Sequence, residues 1–278
     1  MLIEETLFGK VDRVQNAIEL LKEHEPPEGY YVCFSGGKDS IVTLDLVKKS
    51  GVKYKAYHNI TTVEPPELMK FIKDNYADEV EEVHPEKSMR DLIIEYGIPP
   101  TQIIRYCCAR LKECNGKGRI KVTGIRAEES RKRSRRDFFE LGHDGVTHFL
   151  NVIFDWKAAD VWEYIHKYNL KYCSLYDEGF KRIGCVMCPF GGKKGFERDM
   201  ARFPAIAEYF RKACNAAYEK HTAKNKPLYE KFSSGEEMFN WWIRKQAFRK
   251  HPRECAAPLF SEEDENVVIE IGESEEDD

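Results

Sequence analysis

The hexapeptide Ser35-Gly36-Gly37-Lys38-Asp39-Ser40 constrains this chain more than any other feature, because of what flanks it. YYVCF (30–34) before it reads as a short buried strand, and IVTLDLVKK (41–49) after it as a helix ended by Ser50-Gly51. A strand, a glycine pair and a helix start in that order make a phosphate site. The glycines let the backbone turn tightly and present N–H groups, and the helix start adds partial positive charge. Lys38 and the hydroxyls of Ser35 and Ser40 complete an anion cradle. The spacing differs from the GxxxxGK loop of kinases and GTPases; a tight turn with Asp39 or Ser40 capping the helix is the plainer alternative.

The pattern continues downstream. KYKAYHN (53–59) supplies a second strand, followed by a helix near 66–76, a strand over 79–84 and a helix over 88–96. A helical stretch carrying Cys107 and Cys108 comes next, then the strands IKVTGI (120–125) and FLNVIF (149–154). Strands alternating with helices predict an α/β fold, a parallel twisted sheet with helices on both faces. Upstream, Leu7, Val11, Val14, Ile18 and Leu21 recur at helical spacing and predict an amphipathic helix over 5–23. Beyond Trp156 the reading turns helical: ADVWEYIHKY, a loop with Cys185 and Cys188, then segments near 195–221 and 235–250. In MFNWWIRKQAF (238–248) the apolar residues fall at helical spacing, which reads as core packing before base stacking.

Charge is unevenly placed along the 278 residues. The net charge is −4, but residues 261–278 hold ten acidic residues and no Lys or Arg, so residues 1–260 carry 44 basic against 38 acidic side chains. A polyanionic partner is therefore allowed, and nucleic acid stays open. No apolar run reaches the ~18 to 20 residues that span a bilayer, and the start lacks the basic-then-apolar order of a signal peptide, so a cytoplasmic chain without a membrane partner is expected. In that compartment nine cysteines are not expected to form a disulfide framework, and clustered ones point to metal or redox chemistry.

Cys107-Cys108 and Cys185-x-x-Cys188 are two such pairs. Four thiolates can close a tetrahedral zinc site or hold an iron–sulfur cluster. Adjacent side chains diverge, which suits separate iron corners better than one small ion, so [4Fe-4S] is favoured over zinc. Ordinary core thiols are the plainer alternative.

Thr123-Gly124-Ile125-Arg126 follows a strand and runs through Glu128 and Glu129 into RKRSRR (131–136). In an open α/β sheet ligands bind beyond the carboxyl ends of strands, and a guanidinium fork suits phosphate or sulfate oxygens. Arg126 is the first candidate and Arg133 the second; Lys132, Arg135 and Arg136 divide between a solvated face and a nucleic-acid contact. Thr61, Thr62 and Pro65-Pro66-Glu67 read mostly as a loop and helix start near the nucleotide pocket.

These motifs together resemble a family. SGGKDS is similar to the loop of the N-type ATP pyrophosphatases, which cleave ATP between its α and β phosphates. That likeness implies that Ser35, Gly36, Gly37, Lys38, Asp39 and Ser40 grip phosphate groups, with magnesium as counterion. RYCCARLK, FDWKAADVWEYI and SLYDEGFKRIGCVMCPF resemble the phosphoadenosine phosphosulfate (PAPS) reductase family, in its cluster-bearing branch. The resemblance implies a [4Fe-4S] cluster on Cys107, Cys108, Cys185 and Cys188, and nucleotide contacts from Gly124, Arg126 and Arg133. Cys114 falls outside the pattern as a spare thiol or alternative ligand. Sulfonucleotide reductases use a cysteine in a Glu-Cys-Gly-x-His segment; Arg253-Glu254-Cys255-Ala256-Ala257-Pro258 keeps Glu-Cys and lacks the glycine and histidine. Cys255 is the candidate nucleophile, with Lys38 and Arg126 completing the catalytic set.

The implied division is an N-terminal helix (1–28), a PAPS reductase-like nucleotide-binding domain with the cluster (29–192), a helical C-terminal region (193–260) and an acidic tail (261–278). The implied activity is reduction of a sulfonucleotide, adenylyl sulfate or PAPS, to sulfite with a thioredoxin-like reductant. The intact SGGKDS instead suits an ATP pyrophosphatase that adenylates a nucleic acid for sulfur insertion. A non-catalytic nucleotide- or cluster-binding regulator is the third reading.

Overall fold

Strand β3 (Tyr30–Cys33) is buried along most of its length and organises a six-stranded sheet. A computed structural model describes residues 2–6, 9–222 and 232–244. They divide into two compact units, each assembled from separate stretches of chain. The first draws on Met1–Ile60, Pro66–His84 and Cys114–Gly184, the second on Thr61–Pro65, Pro85–Glu113 and the chain from Cys185 onward.

In the first unit, β3 is followed by α2 (Lys38–Ser50), β4 (Tyr54–Asn59), α3 (Pro66–Tyr76) and β5 (Val80–Val83). Then come β6 (Ile120–Thr123), β7 (Phe139–Leu141), β8 (His148–Asn151) and α6 (Ala158–Lys167). The sheet order is β5-β4-β3-β6-β8-β7. From β3 the chain steps outward through β4 to β5, then returns to the other side of β3 with β6. That reversal makes a topological switch point between β3 and β6, the place where an open α/β sheet leaves a crevice beyond its strand ends. Five strands run parallel, as the alternation predicts. The sixth, β7, is antiparallel to β8 and absent from the sequence reading. FLNVIF is also shorter as a strand than expected, because Phe154 N–H turns back to the Asn151 carbonyl at 3.1 Å.

The N-terminal helix needs a second correction. Strands β1 (Ile3–Thr6) and β2 (Gly9–Asp12) pair antiparallel before α1 (Arg13–Glu23) begins. Gly9 sits at φ 118°, outside helical space, and the Asp12 carboxylate accepts from Val14 and Gln15 N–H, which fixes the helix start at Arg13. Val14, Ile18 and Leu21 keep their helical spacing, but Val11 belongs to β2.

The second unit is helical: α4 (Met89–Tyr96), α5 (Tyr106–Leu111), α7 (Gly192–Arg202), α8 (Pro204–Thr222) and α9 (Gly235–Ile243). Ser88 and Asp91 form a reciprocal capping box at the start of α4. The segment expected over 195–221 is two helices, broken where Pro204 disfavours helical geometry at Phe203. Met238, Phe239 and Trp242 are buried, and the Trp242 ring lies 4.9 Å from both Phe196 and Phe210. Trp242 also donates its indole N–H to the Pro100 carbonyl at 2.7 Å. The aromatic stripe is therefore core, with each such side chain stabilising by about 1.5 to 3 kcal/mol. Among the described residues no helix is long and apolar enough to cross a membrane, and the cysteines are all free.

Candidate functional site

The SGGKDS loop leaves the carboxyl end of β3 and opens α2. Gly36 adopts φ 70°, and a Cβ there would meet the Leu68 and Ile72 side chains of α3 at 2.7 and 2.8 Å, so any other residue would be strained and would displace them. Ser40 Oγ ties the turn: it donates to the Gly37 carbonyl at 2.9 Å and accepts from Ser35 N–H at 3.2 Å. The residue capping α2 is Gly37, which brings no side chain to the opening N–H groups, so neither Asp39 nor Ser40 is the cap. Lys38 N–H instead donates to the hydroxyl of Tyr176 at 2.9 Å, a contact across 138 positions of sequence.

Gly124 and Arg126 follow the carboxyl end of β6, the parallel neighbour of β3, which brings both segments to the switch point. A Cβ on Gly124 would sit 2.9 Å from the Asp39 carbonyl carbon and oxygen, so the glycine is what lets this strand end approach α2. Arg126 is only 4% exposed. Its Nε donates to Asp39 Oδ1 at 2.7 Å and its Nη1 to Glu128 Oε2 at 2.8 Å. Burial works against the guanidinium charge, but Asp39 and Glu128 outweigh it and the pKa is raised. Lys38 Nζ meets the other Asp39 oxygen at 2.7 Å. Asp39 thus bridges the two cations assigned to the anion. Arg133 pairs with Glu129, whose carboxylate also accepts the Arg126 backbone N–H at 3.0 Å. Lys132 and Arg135 are exposed, and Arg136 pairs with Glu140 at 2.5 Å.

The four paired cysteines lie in the second unit and line one cavity. Cys107 and Cys108 occupy the first turn of α5, far in sequence from the Cys185-to-Cys188 loop. That loop is held by its own N–H groups: Val186 donates to the Val63 carbonyl at 2.9 Å and Met187 to the buried Asp199 carboxylate at 2.8 Å. Met187 sits between the two cysteines at φ 59°, a left-handed conformation that costs a non-glycine residue some backbone strain.

The electrostatics of this cavity divide the thiols, and burial pushes the Cys188 pKa up. Cys107 donates to Cys108, which raises the Cys107 pKa and lowers that of Cys108, helped by Lys112 and Arg105. The stem of Lys112 is exposed, but its ammonium lies against Cys185, whose charge raises the lysine pKa. Thr61 Oγ1 lies 3.2 Å from Cys185 Sγ. Among the described residues no group of three or more Cys, His, Asp or Glu side chains is arranged to hold a single metal ion. The donor chemistry, four sulfurs in two pairs beside two cations, fits an anionic cluster whose ligands sit on separate metal atoms.

Sequence reasoning missed Lys112 and Tyr176, although both lie inside quoted motifs, RYCCARLK and SLYDEGF. Thr61 lies in the second unit, with its hydroxyl beside Cys185. Cys114 is exposed in the first unit and does not line the cysteine cavity. Cys255 and its Glu-Cys segment lie outside the described residues.

Residues 29–190 match the family described as the phosphoadenosine phosphosulfate reductase domain. An uncharacterized protein of Methanocaldococcus jannaschii is 29% identical over 270 residues, covering 88% of this chain and 52% of the relative. A second from the same organism is 30% identical, covering 73% and 54%. The chain spans about half the length of these two relatives. An adenosine 5′-phosphosulfate reductase of Bacillus cereus is 25% identical, covering 69% of this chain and 88% of that one. A solved PAPS reductase from Candida auris, in complex with phosphate, is 18% identical with a TM-score of 0.48, covering 62% and 89%.

Proposed function

Because the chain belongs to the phosphoadenosine phosphosulfate reductase domain family, we propose that its first unit binds an adenylyl sulfonucleotide and that the protein reduces it to sulfite. The observation that carries this is the convergence of the SGGKDS loop and the Gly124-to-Arg126 segment beyond the carboxyl ends of the adjacent parallel strands β3 and β6. Backbone N–H groups at the start of α2, with Lys38 and Arg126 behind them, supply donors for phosphate and sulfate oxygens. Gly36 and Gly124 supply the close approaches, and Arg133 holds Glu129 against the Arg126 backbone.

The reading assigns Cys107, Cys108, Cys185 and Cys188 to a [4Fe-4S] cluster, supported by their shared cavity and by the cations Arg105 and Lys112 facing them. When bound, the cluster supplies electrostatic tuning of anion reactivity. In the chemical step, the Cys255 thiolate attacks the sulfur of the sulfonucleotide. An S–S bond forms and the S–O bond to the phosphate breaks, releasing AMP from adenylyl sulfate or adenosine bisphosphate from PAPS. A thioredoxin-like dithiol then attacks the Cys255 sulfur; sulfite leaves with the bonding pair, the protein thiol is restored and the dithiol ends as a disulfide. The protons of the dithiol balance the charge.

Asp39 favours a second reading. Its carboxylate bridges Lys38 and Arg126 and, together with Glu128, offsets their charge, so a nucleotide arriving with magnesium, such as ATP, would match the loop's charge better than a bare polyanion. The exposed arginines of 131–136 give that reading its nucleic-acid contact.

The test is sulfite release from adenosine 5′-phosphosulfate in the presence of a reduced thioredoxin. The proposal expects release by the wild-type protein and its abolition in Cys255→Ser. Sulfite release that persists in the variant removes Cys255 from the mechanism.

A further inference from the structure

The phosphate loop carries a side chain that neither motif logic nor the charges of the site account for. Tyr176 ends a short 3-10 turn (Ser174–Tyr176) and places its hydroxyl oxygen 2.9 Å from the Lys38 backbone N, the first N–H of α2. The same oxygen is 3.5 Å from the position a Cβ would take on Gly37, so the glycine face of the loop opens toward it. The phenol ring is fixed by Trp162, which meets it edge-on at 5.2 Å, and Lys38 Nζ lies 6.0 Å from the ring centre. The hydroxyl is therefore aimed at the helix start by packing, on the side where the loop presents its N–H groups.

We infer that Tyr176 is an anion-binding residue of this site, accepting from Lys38 N–H while donating its own proton to a phosphate or sulfate oxygen of the nucleotide. The inference rests on the sulfonucleotide reading above and deepens it. The chemistry of the loop gives the reason. Lys38 and Arg126 both spend hydrogen bonds on Asp39, and Arg126 a further one on Glu128, so the cations reach the loop largely compensated. A neutral donor adds an interaction that those carboxylates do not oppose. Burial pushes the Tyr176 pKa well up, so the hydroxyl keeps its proton across the working pH range and remains a donor. Accepting an N–H polarises that O–H and strengthens what it donates. Among the described residues this hydroxyl makes one hydrogen bond, the one it accepts from Lys38 N–H.

The probe pair is adenosine 5′-phosphosulfate and adenosine, titrated against the full chain and against Tyr176→Phe, which keeps the ring and its Trp162 contact. A hydrogen bond to a charged acceptor predicts about a tenfold loss in affinity for the phosphosulfate, with adenosine affinity unchanged. A thermal melt of the variant matching that of the wild type accompanies this result. Equal loss for both ligands would make Tyr176 a packing residue and overturn the inference. Unchanged or tighter phosphosulfate binding in Tyr176→Phe, with normal wild-type binding, overturns it alone. A wild-type protein that binds neither ligand overturns the sulfonucleotide reading and this inference with it.

Discussion

Gly124 shows at a single position how the sequence prepares the site. Its absent side chain lets the end of β6 lie against the first turn of α2, where a Cβ would meet Asp39 backbone atoms at 2.9 Å and Thr43 Oγ1 at 3.0 Å. Backbone cannot swing aside as a flexible side chain does, so Gly124→Ala forces α2 and β6 apart. The expected cost is about 1 to 3 kcal/mol of stability, with a matching fall in the denaturant midpoint and weaker adenosine 5′-phosphosulfate binding. A variant with wild-type midpoint and affinity would contradict the close approach. Gly124 and Arg126 could be proposed from the sequence because they belong to one short local motif. Tyr176 was missed, since its partner lies 138 residues away and no local pattern announces a hydrogen bond of that range. The ion pairs of Asp39 were equally hidden: sequence showed a lysine and an arginine free to bind anions, while folding gave both of them a carboxylate.

Among elements, the ones read well were those whose signals agree. Helix α2 has a glycine turn before it, a buried apolar face and Gly51 at φ 75° after it, and its bounds follow from these. Where the signals conflict, tertiary context decided. Apolar spacing over 5–23 fits a helix, yet Gly9 and the Asp12 cap divide it into a hairpin and a shorter helix. Strand β7 has three residues, exposed apolar side chains and one neighbour, so it owes its existence to pairing with β8 rather than to a pattern of its own. Helix α5 and the loop over 185–188 are the elements that carry metal chemistry in this account, one pair of thiols each. Protein purified without oxygen is expected to contain iron and acid-labile sulfide in equal amounts. Removing one thiol from each element, Cys108→Ala or Cys188→Ala, is expected to abolish both, while Cys114→Ala, outside the cavity, leaves them intact. Zinc in place of iron, or iron retained in Cys108→Ala and Cys188→Ala, would defeat the cluster assignment.

For the whole molecule, the net charge of −4 describes neither unit's chemistry, because ten acidic residues fall in the last eighteen positions and leave residues 1–260 with a basic excess. The fold class was legible because strand and helix alternate along the nucleotide-binding stretch, and a parallel sheet follows from that order. The division into two units was not, since the chain passes from one to the other at residues 60, 65, 84, 113 and 184 and no composition shift marks those crossings. The two candidate sites fall cleanly within this division, the phosphate loop with Arg126 in the first unit and the four thiols in the second. Two chemistries share such a plan, and they differ in which bond of the nucleotide breaks. The deciding measurement is therefore the nucleotide product profile of one anaerobic reaction containing the cluster-loaded full chain, reduced thioredoxin, magnesium, adenosine 5′-phosphosulfate, ATP and a nucleic acid. Sulfonucleotide reduction predicts AMP and sulfite in equal amounts with ATP intact; pyrophosphate with AMP formed from ATP, and phosphosulfate left whole, would contradict it.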